Sequence, residues 1–228
     1  MLPTRAARAA ACFFTLAVGQ FAFNPSALAQ SSAPDDPCTR DIRALYEGGA
    51  LDPFAQPPYR YETTVFNEDG STRFEFVTVF DTPLKSMSGL KGQNMTLAIG
   101  RRTWTGPSPD GPWTETPNQL PEDLAAFHKA NRDQLAANLR DTACPGLVEV
   151  EGKPRLRYDF TTQTDPNPDQ GGTYFGASYS VFIDPDTGHL MRQEQTGPFA
   201  HYQPQPGTER WVMVYSYDPA ISLSAPAE

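Results

Sequence analysis

Over most of its length the chain alternates between apolar and polar residues with a period of two, the pattern of half-buried β-strands. Two such segments, 59–66 and 73–80, flank a polar stretch at 67–70 that ends in glycine, which predicts a β-hairpin. Further alternating segments lie at 95–99, 102–105, 112–115, 156–160, 175–183, 190–195 and 211–217. Their succession along the chain predicts an antiparallel meander.

Two segments have helical spacing instead. Apolar residues within 38–46 predict a short helix that ends at the Gly-Gly pair at 48–49. A long helix is predicted from Pro121 to Asp141, since proline suits a first turn and one face of this segment is mostly apolar. That face consists of Leu124, Phe127, Asn131, Leu135 and Leu139. We expect the Cys-Pro-Gly sequence at 144–146 to end this helix.

The connections between these elements are rich in turn-forming residues. Segment 165–172 contains Asp, Pro, Asn and Gly, and segment 197–207 is rich in Pro and Gln, so both are predicted to be exposed connections. No internal repeat and no domain boundary is visible. We therefore predict a single domain at 38–221, with a flexible tether at 30–37 and a disordered C-terminus at 222–228.

Composition narrows the class of protein. A length of 228 residues suits one domain, and 14 Phe, 9 Tyr and 3 Trp are too many aromatic residues for a disordered chain. The 18 basic residues are scattered and are outnumbered by 27 acidic residues, which gives a formal charge of −9. This charge distribution excludes nucleic acid as the expected partner, because phosphate contacts need clustered Lys and Arg.

The N-terminal segment 1–29 is predicted to be a signal peptide. Arg5 and Arg8 precede an apolar run at 9–18, and Ala27-Leu28-Ala29 is a small-x-small cleavage site, so we place the cut after Ala29. A membrane anchor is the alternative, but the run is about ten residues long and a membrane span needs about 20. We therefore expect a cleaved, exported protein that does not span the membrane, and the style of the cleavage site points to the bacterial periplasm.

Cleavage would leave two cysteines, Cys38 and Cys144. Two thiols in an oxidising compartment are most simply explained by one structural disulfide. The alternatives are two buried free thiols, a metal-binding pair or a redox site, although neither a C-x-x-C spacing nor an adjacent histidine supports the last two.

Two segments of the chain are similar to segments of a known family. The first is 98–104, which is followed by Gly-Pro-Trp at 111–113, and the second is 183–192, which contains an Asp-Pro-Asp-Thr-Gly turn. They resemble half-barrel envelope proteins of the LolA, LolB and LppX type. The resemblance covers roughly 59–217 and implies a curved antiparallel sheet that forms an open half-barrel. It also implies that the helices cover the concave side. The expected class is therefore α+β, mainly β, with one long and one short helix on the concave side.

The resemblance implies binding rather than catalysis. Members of the group include carriers of lipoproteins and lipids and envelope sensors, and this chain departs from the lipoprotein members because it lacks their lipidation cysteine. The three histidines, His128, His189 and His201, have no partners at metal-ligand spacing, and no Gly-x-Ser-x-Gly or phosphate-binding loop is present. We therefore predict no enzyme activity, no cofactor and no metal site.

The feature that most strongly suggests a function is the large number of bulky apolar side chains. The candidate lining of a ligand pocket is Phe74, Phe76, Trp104, Trp113, Phe127, Trp211, Met213 and Tyr215. An ordinary filled core is the competing explanation, since a sheet covered by two helices needs large side chains. We expect the long helix to lie across the concave face, opposite Trp104 and Trp211.

The sequence thus favours a monomeric periplasmic carrier that holds a hydrophobic small molecule or a lipidated protein between sheet and helices. The alternative is an envelope interaction or sensor module with a filled core. A hydrolase is a distant third.

Overall fold

The structure is a computed structural model that describes residues 36–117, 120–168 and 171–227. The predicted signal peptide at 1–29 and most of the predicted tether lie outside these described residues.

The described residues form two helices and eleven strands. The helices are α1 (Pro37–Tyr46) and α2 (Leu124–Ala137). The strands are β1 (Tyr59–Phe66), β2 (Thr72–Thr82), β3 (Lys85–Leu90), β4 (Met95–Ile99), β5 (Arg102–Gly106), β6 (Thr114–Thr116), β7 (Arg140–Val150), β8 (Lys153–Gln163), β9 (Phe175–Ile183), β10 (Leu190–Ala200) and β11 (Arg210–Tyr217).

All eleven strands belong to one antiparallel sheet with the order β6-β5-β4-β3-β2-β1-β11-β10-β9-β8-β7. Strands that follow one another in the chain are neighbours, except for β6 and β7. The pairing of β1 with β11, from Tyr59 opposite Tyr217 to Phe66 opposite Arg210, joins the two halves. The outermost strands, β6 and β7, do not pair with each other, so the sheet is open. The predicted fold class is confirmed, since an open antiparallel sheet with two helices is consistent with a half-barrel.

Helix α1 begins and ends where the sequence favours it. The Asp36 carboxylate accepts a hydrogen bond from the backbone N–H of Thr39 (2.9 Å), and Pro37 occupies the first turn. After Tyr46 the chain leaves the helix through Gly48, whose φ of 96° is accessible to glycine at little cost. The short helix predicted at 38–46 is confirmed.

The hydrophobic core lies where both helices pack on one side of the sheet, which we call the helix-facing side. The opposite side is called the outer side. The buried core residues are Ile42, Tyr46, Ala50, Ala136, Leu139, Phe160, Val181, Ile183 and Leu190. These side chains come from α1, α2 and the adjoining loops, and from strands β8, β9 and β10, so this end of the molecule has a filled core.

The predicted disulfide between Cys38 and Cys144 is confirmed, with a Cα–Cα distance of 5.7 Å. Beside it, the hydroxyls of Thr39 and Thr142 share a hydrogen bond of 2.7 Å. The bridge spans 106 residues, and in the chain-entropy model a loop of this length stabilises the fold by roughly 4 to 5 kcal/mol. It joins α1 to strand β7, whereas Cys144 was predicted to lie at the end of the long helix.

The long helix is shorter than predicted at both ends. It begins at Leu124, where the Asp123 side chain accepts from the N–H of Ala126 (2.8 Å), and it ends at Ala137. Asp141 has a positive φ of 51°, and the chain is already in β7 by then. The prediction of a helix up to Asp141 was therefore wrong.

Two further segments differ from expectation. Strand β3 was not predicted, because Met87 alternates with serines there and gives a weak apolar signal. Strand β10 extends to Ala200, into the segment predicted to be a connection, through an irregularity in its register after Thr196. Within the described part of the C-terminus, the N–H of Leu223 donates to the Asp81 carboxylate (3.1 Å).

A matched pair of leucines tests the position of the core. Leu139 is 4% exposed, whereas Leu147 on β7 is 65% exposed. We expect Leu139→Ala to lower the free energy of unfolding by about 2 to 5 kcal/mol, because it leaves a cavity between α1 and the sheet. Leu147→Ala should change it by less than about 0.5 kcal/mol. Urea unfolding followed by circular dichroism measures both, and equal losses would contradict this assignment of the core.

Candidate functional site

A row of large side chains covers the helix-facing side of β1, β2 and β11. The strand register aligns them, since Thr63 lies opposite both Phe76 and Met213. We call this set the aromatic row, and it consists of Tyr59, Tyr61, Phe74, Phe76, Phe80, Trp211, Met213, Tyr215 and Tyr217. Neighbouring rings are in contact, with centroids 5.0 Å apart for Tyr59 and Phe80 and 5.1 Å apart for Tyr61 and Tyr215.

The helices lie mainly over the other end of the sheet. Helix α1 packs on β7 and on α2, and α2 packs on β8. Two links extend this cover toward the aromatic row: Tyr215 contacts the edge of the core, and the Tyr217 hydroxyl lies 3.3 Å from the side-chain oxygen of Gln56 in the loop after α1. Trp211, Phe74 and Phe76 lie at the opposite end of the row and keep part of their surface exposed.

A cleft of about 250 Å³ lies between the filled core and this exposed end of the row. Its floor is built from Tyr179 on β9, Gln195 on β10 and Trp211 on β11, which are aligned across the three strands by register. We call it the Trp211 cleft. Its remaining lining residues are Phe175, Gly176, Pro198, Phe199, Ala200, Tyr202, Gln203 and Glu209.

Trp211 combines apolar contacts with an unused polar group. Its ring is perpendicular to Phe74 (86°, 6.1 Å) and stacked on Phe76 (20°, 6.4 Å). Its indole nitrogen is buried and has no hydrogen-bond acceptor among the described residues. Because buried N–H groups are normally hydrogen-bonded, an acceptor that reached this nitrogen from the cleft would satisfy it.

Tyr179 belongs to both the core and the cleft. Its ring stacks on Phe160 (5.4 Å), and Phe160 meets Tyr46 of α1 edge-on (6.1 Å). Burial raises the pKa of Tyr179 to about 12. A chain of ring contacts therefore runs from α1 to the floor of the cleft. These contacts hold Tyr179 in a fixed position.

The mouth of the cleft carries two exposed aromatic side chains. Phe175 is 52% exposed and Tyr202 is 71% exposed, and their ring centroids lie 6.5 Å apart. Phe175 also lines a second cleft of about 260 Å³, which lies between α2 and the connection from β8 to β9 and includes Phe127.

The structure brings together five of the eight predicted lining residues. Phe74, Phe76, Trp211, Met213 and Tyr215 all belong to the aromatic row, and Trp211 lines the cleft. Phe127 lies apart from them, in the second cleft.

Trp104 and Trp113 do not belong to this set, and Trp104 lies on the outer side of the sheet. The register pairs Trp104 with Leu97 and Leu97 with Met87, and these residues alternate with those on the helix-facing side. The Trp113 ring covers Gly106, where the Cβ of any other residue would lie 2.8 Å from that ring, so only glycine fits there. The expectation that Trp104 lies opposite the long helix was therefore wrong.

Sequence reasoning missed several residues of the cleft. Tyr179 was part of a predicted strand but was not proposed as lining, and Gln195 and Glu209 are polar residues that an apolar criterion overlooks. The alternation of 175–183 and 211–217 could have placed Tyr179 and Trp211 on one side. The contribution of residues 198–209 depends on how the connection from β10 to β11 folds back, which periodicity does not show.

The outer side of the sheet carries paired charges. Glu194 accepts from Arg192 on its own strand (2.8 Å) and from Arg210 on the neighbouring strand β11 (3.2 Å). Arg155 on β8 donates to Asp184 (2.6 Å), whose carboxylate also accepts from the backbone of Thr187 in the Asp-Pro-Asp-Thr-Gly turn. Hydrogen bonds from Thr187 lower the pKa of Asp184.

Neither helix in the described part of the chain is long and apolar enough to cross a membrane. In that same part, no three His, Cys, Asp or Glu side chains are grouped so that they could hold a metal ion.

No protein-family model and no curated protein matches this chain. Solved structures do match it. The lipoprotein LppX of Mycobacterium tuberculosis is 11% identical over 78% of this chain and 94% of its own, with a TM-score of 0.45. LprF of Mycobacterium bovis is 10% identical over 83% of this chain and 98% of its own, with a TM-score of 0.46. A chain of the MucA/MucB complex of Pseudomonas aeruginosa is 15% identical over 85% of this chain and 59% of its own, with a TM-score of 0.39.

LppX belongs to the group that the sequence resembles. At these identities and TM-scores the likeness carries no information about what this protein binds.

The buried tyrosines predict a loss of stability at high pH. Burial raises the pKa of Tyr179, Tyr46 and Tyr215 above the ordinary value of 10, so these phenols stay protonated in the folded protein where they would ionise in the unfolded chain. The unfolded state then binds fewer protons, and the free energy of unfolding should be constant below about pH 10 and fall as the pH rises toward 12.

Urea unfolding between pH 8 and pH 12 measures this loss. Tyr179→Phe should reduce it, because phenylalanine cannot ionise in either state, while Tyr202→Phe at the exposed mouth should leave it unchanged. A loss of stability that is the same in all three proteins would contradict the proposed burial of Tyr179.

Proposed function

We propose that this protein is an exported periplasmic binding protein, or carrier, for a hydrophobic ligand held on the helix-facing side of its sheet. The single observation that carries the proposal is the Trp211 cleft, which lies where helix cover ends and large apolar side chains remain. Apolar clefts with a few polar groups are the usual form of a small-molecule site.

The size of the cleft limits what it can hold. Its volume of about 250 Å³ lies just below the range of about 300 to 1,000 Å³ that is typical of ligand pockets. It therefore suits a small apolar molecule or one end of an acyl chain, with the rest of the chain lying along Phe74 and Phe76. A lipidated partner protein could present such a chain.

The groups that line the cleft support a binding function. Tyr179, Tyr202, Gln195, Gln203, Glu209 and Trp211 supply its polar side-chain atoms. The one carboxylate, on Glu209, has no histidine or cysteine beside it in the described lining to activate as a nucleophile or base. The proposal therefore assigns the cleft no reaction.

A titration with N-phenyl-1-naphthylamine, an uncharged fluorescent probe for apolar sites, tests the proposal. The unmodified protein should bind it saturably. Trp211→Ala should weaken the affinity at least fivefold, because it removes the floor of the cleft.

Trp104→Ala is the matched control, since Trp104 is a buried tryptophan on the other side of the sheet. It should leave the affinity for the probe unchanged, and circular dichroism should show that both variants are folded at the temperature used. Absence of saturable binding by the unmodified protein would contradict the proposal and favour an interaction module with a filled core.

Export is tested separately. We expect the protein recovered from the periplasm to begin at Gln30, because cleavage after Ala29 follows from the small-x-small pattern at 27–29. N-terminal sequencing of the exported protein should read Gln-Ser-Ser-Ala. A mature protein that begins at Met1, or one that carries a lipid on Cys12, would contradict this part of the proposal.

A further inference from the structure

The polar groups that line the Trp211 cleft discriminate between uncharged and negatively charged ligands. Glu209 is part of the lining, and its Oε2 and the Nε2 of Gln203 both lie beside Gly207, at 2.6 Å and 3.2 Å from where a side chain of that residue would begin. A carboxylate and an amide are therefore held together at one wall. Any anion in so small a cleft would lie near the Glu209 carboxylate and would be repelled.

The basic residue next in sequence does not offset this charge. Arg210 donates to Glu194 (3.2 Å) and its guanidinium lies 4.8 Å from the centre of the Phe66 ring, both on the outer side of the sheet. Successive residues of a strand point to opposite sides, and Trp211, the next residue, returns to the cleft. The described lining of the cleft thus carries the Glu209 carboxylate and no basic side chain.

The hydrogen-bonding groups favour an acceptor. The buried indole N–H of Trp211 has no acceptor among the described residues, and the amides of Gln195 and Gln203 lie in the same lining. An alcohol, ester or amide oxygen would satisfy the indole donor without bringing a negative charge next to Glu209.

We infer that the ligand of the Trp211 cleft is an amphiphile whose polar end is an uncharged hydrogen-bond acceptor, and that Glu209 excludes the corresponding carboxylate. This inference rests on the proposed function and names the class of ligand for it. A long-chain alcohol, or an acyl chain in ester or amide linkage, fits the cleft, and a free fatty-acid anion does not.

Displacement of N-phenyl-1-naphthylamine by two ligands with the same chain tests the inference. At pH 7.5 and below micellar concentrations, 1-decanol should displace the probe at a concentration at least tenfold lower than decanoate does. Glu209→Gln should reduce this difference to less than threefold, by improving displacement by decanoate more than displacement by decanol. Glu62→Gln, which removes the same charge from the outer side, should leave the tenfold difference in place.

Trp211→Phe tests the donor separately, because it keeps an aromatic floor and removes the N–H. Relative to the probe affinity measured for the same variant, decanol should then need a roughly threefold to tenfold higher concentration, which is the value of one hydrogen bond.

Equal displacement by decanol and decanoate, or a difference that survives Glu209→Gln, would overturn the inference while probe binding still supports a carrier. Absence of probe binding would overturn both.

Discussion

Covering one side of a wide sheet is the constraint on which the rest of this structure depends. Eleven strands spaced about 4.8 Å apart give a sheet on the order of 48 Å across. Helices of 10 and 14 residues are only about 15 Å and 21 Å long, so together they shield a few strands at one end. The remaining apolar surface has to be covered by large side chains of the sheet itself, by loops or by a ligand.

The molecule meets this constraint differently in three regions. Below the helices, Ile42, Leu139 and Phe160 fill the space, and the Cys38–Cys144 bridge ties α1 to the edge strand. Along β1, β2 and β11 the aromatic row packs ring against ring. In β3 to β5 the large side chains are on the outer side instead, where Trp104 and Leu97 are buried. The helix-facing side there carries small residues such as Ser88, Thr96 and Ala98.

This change of side explains what could be predicted from the sequence and what could not. Period-two alternation identified most strands and the sharing of one side by Trp211, Met213 and Tyr215. It could not show which side of β5 Trp104 occupies relative to them, since that depends on the register of β3. Strand β3 has little apolar signal, so the pattern alone does not connect β1 and β2 with β4 and β5.

The error at the long helix has a different cause. Leu139 continues the apolar spacing of α2 and is buried among the same residues, yet it reaches that position from the irregular chain between helix and strand. The Cys-Pro-Gly sequence suggested a helix end, whereas Pro145 lies in β7, an edge strand of the sheet. A proline is tolerated on an edge strand because one side of that strand has no neighbour to which an N–H must donate. Local sequence thus cannot distinguish a helix end from an edge strand at this proline. Only the position of β7 at the edge of the sheet shows that the strand tolerates it.

The residues that line the cleft are only partly separate from the residues that stabilise the fold. Trp211, Gln195 and Glu209 lie outside the core below the helices, so changes there leave the packing of Ile42 and Leu139 intact. Tyr179 belongs to both regions, because it stacks on Phe160 and also forms the floor of the cleft. A ligand that contacts Tyr179 would therefore contact a side chain that also packs in the core below α1. Binding there should raise the stability of the whole domain by mass action.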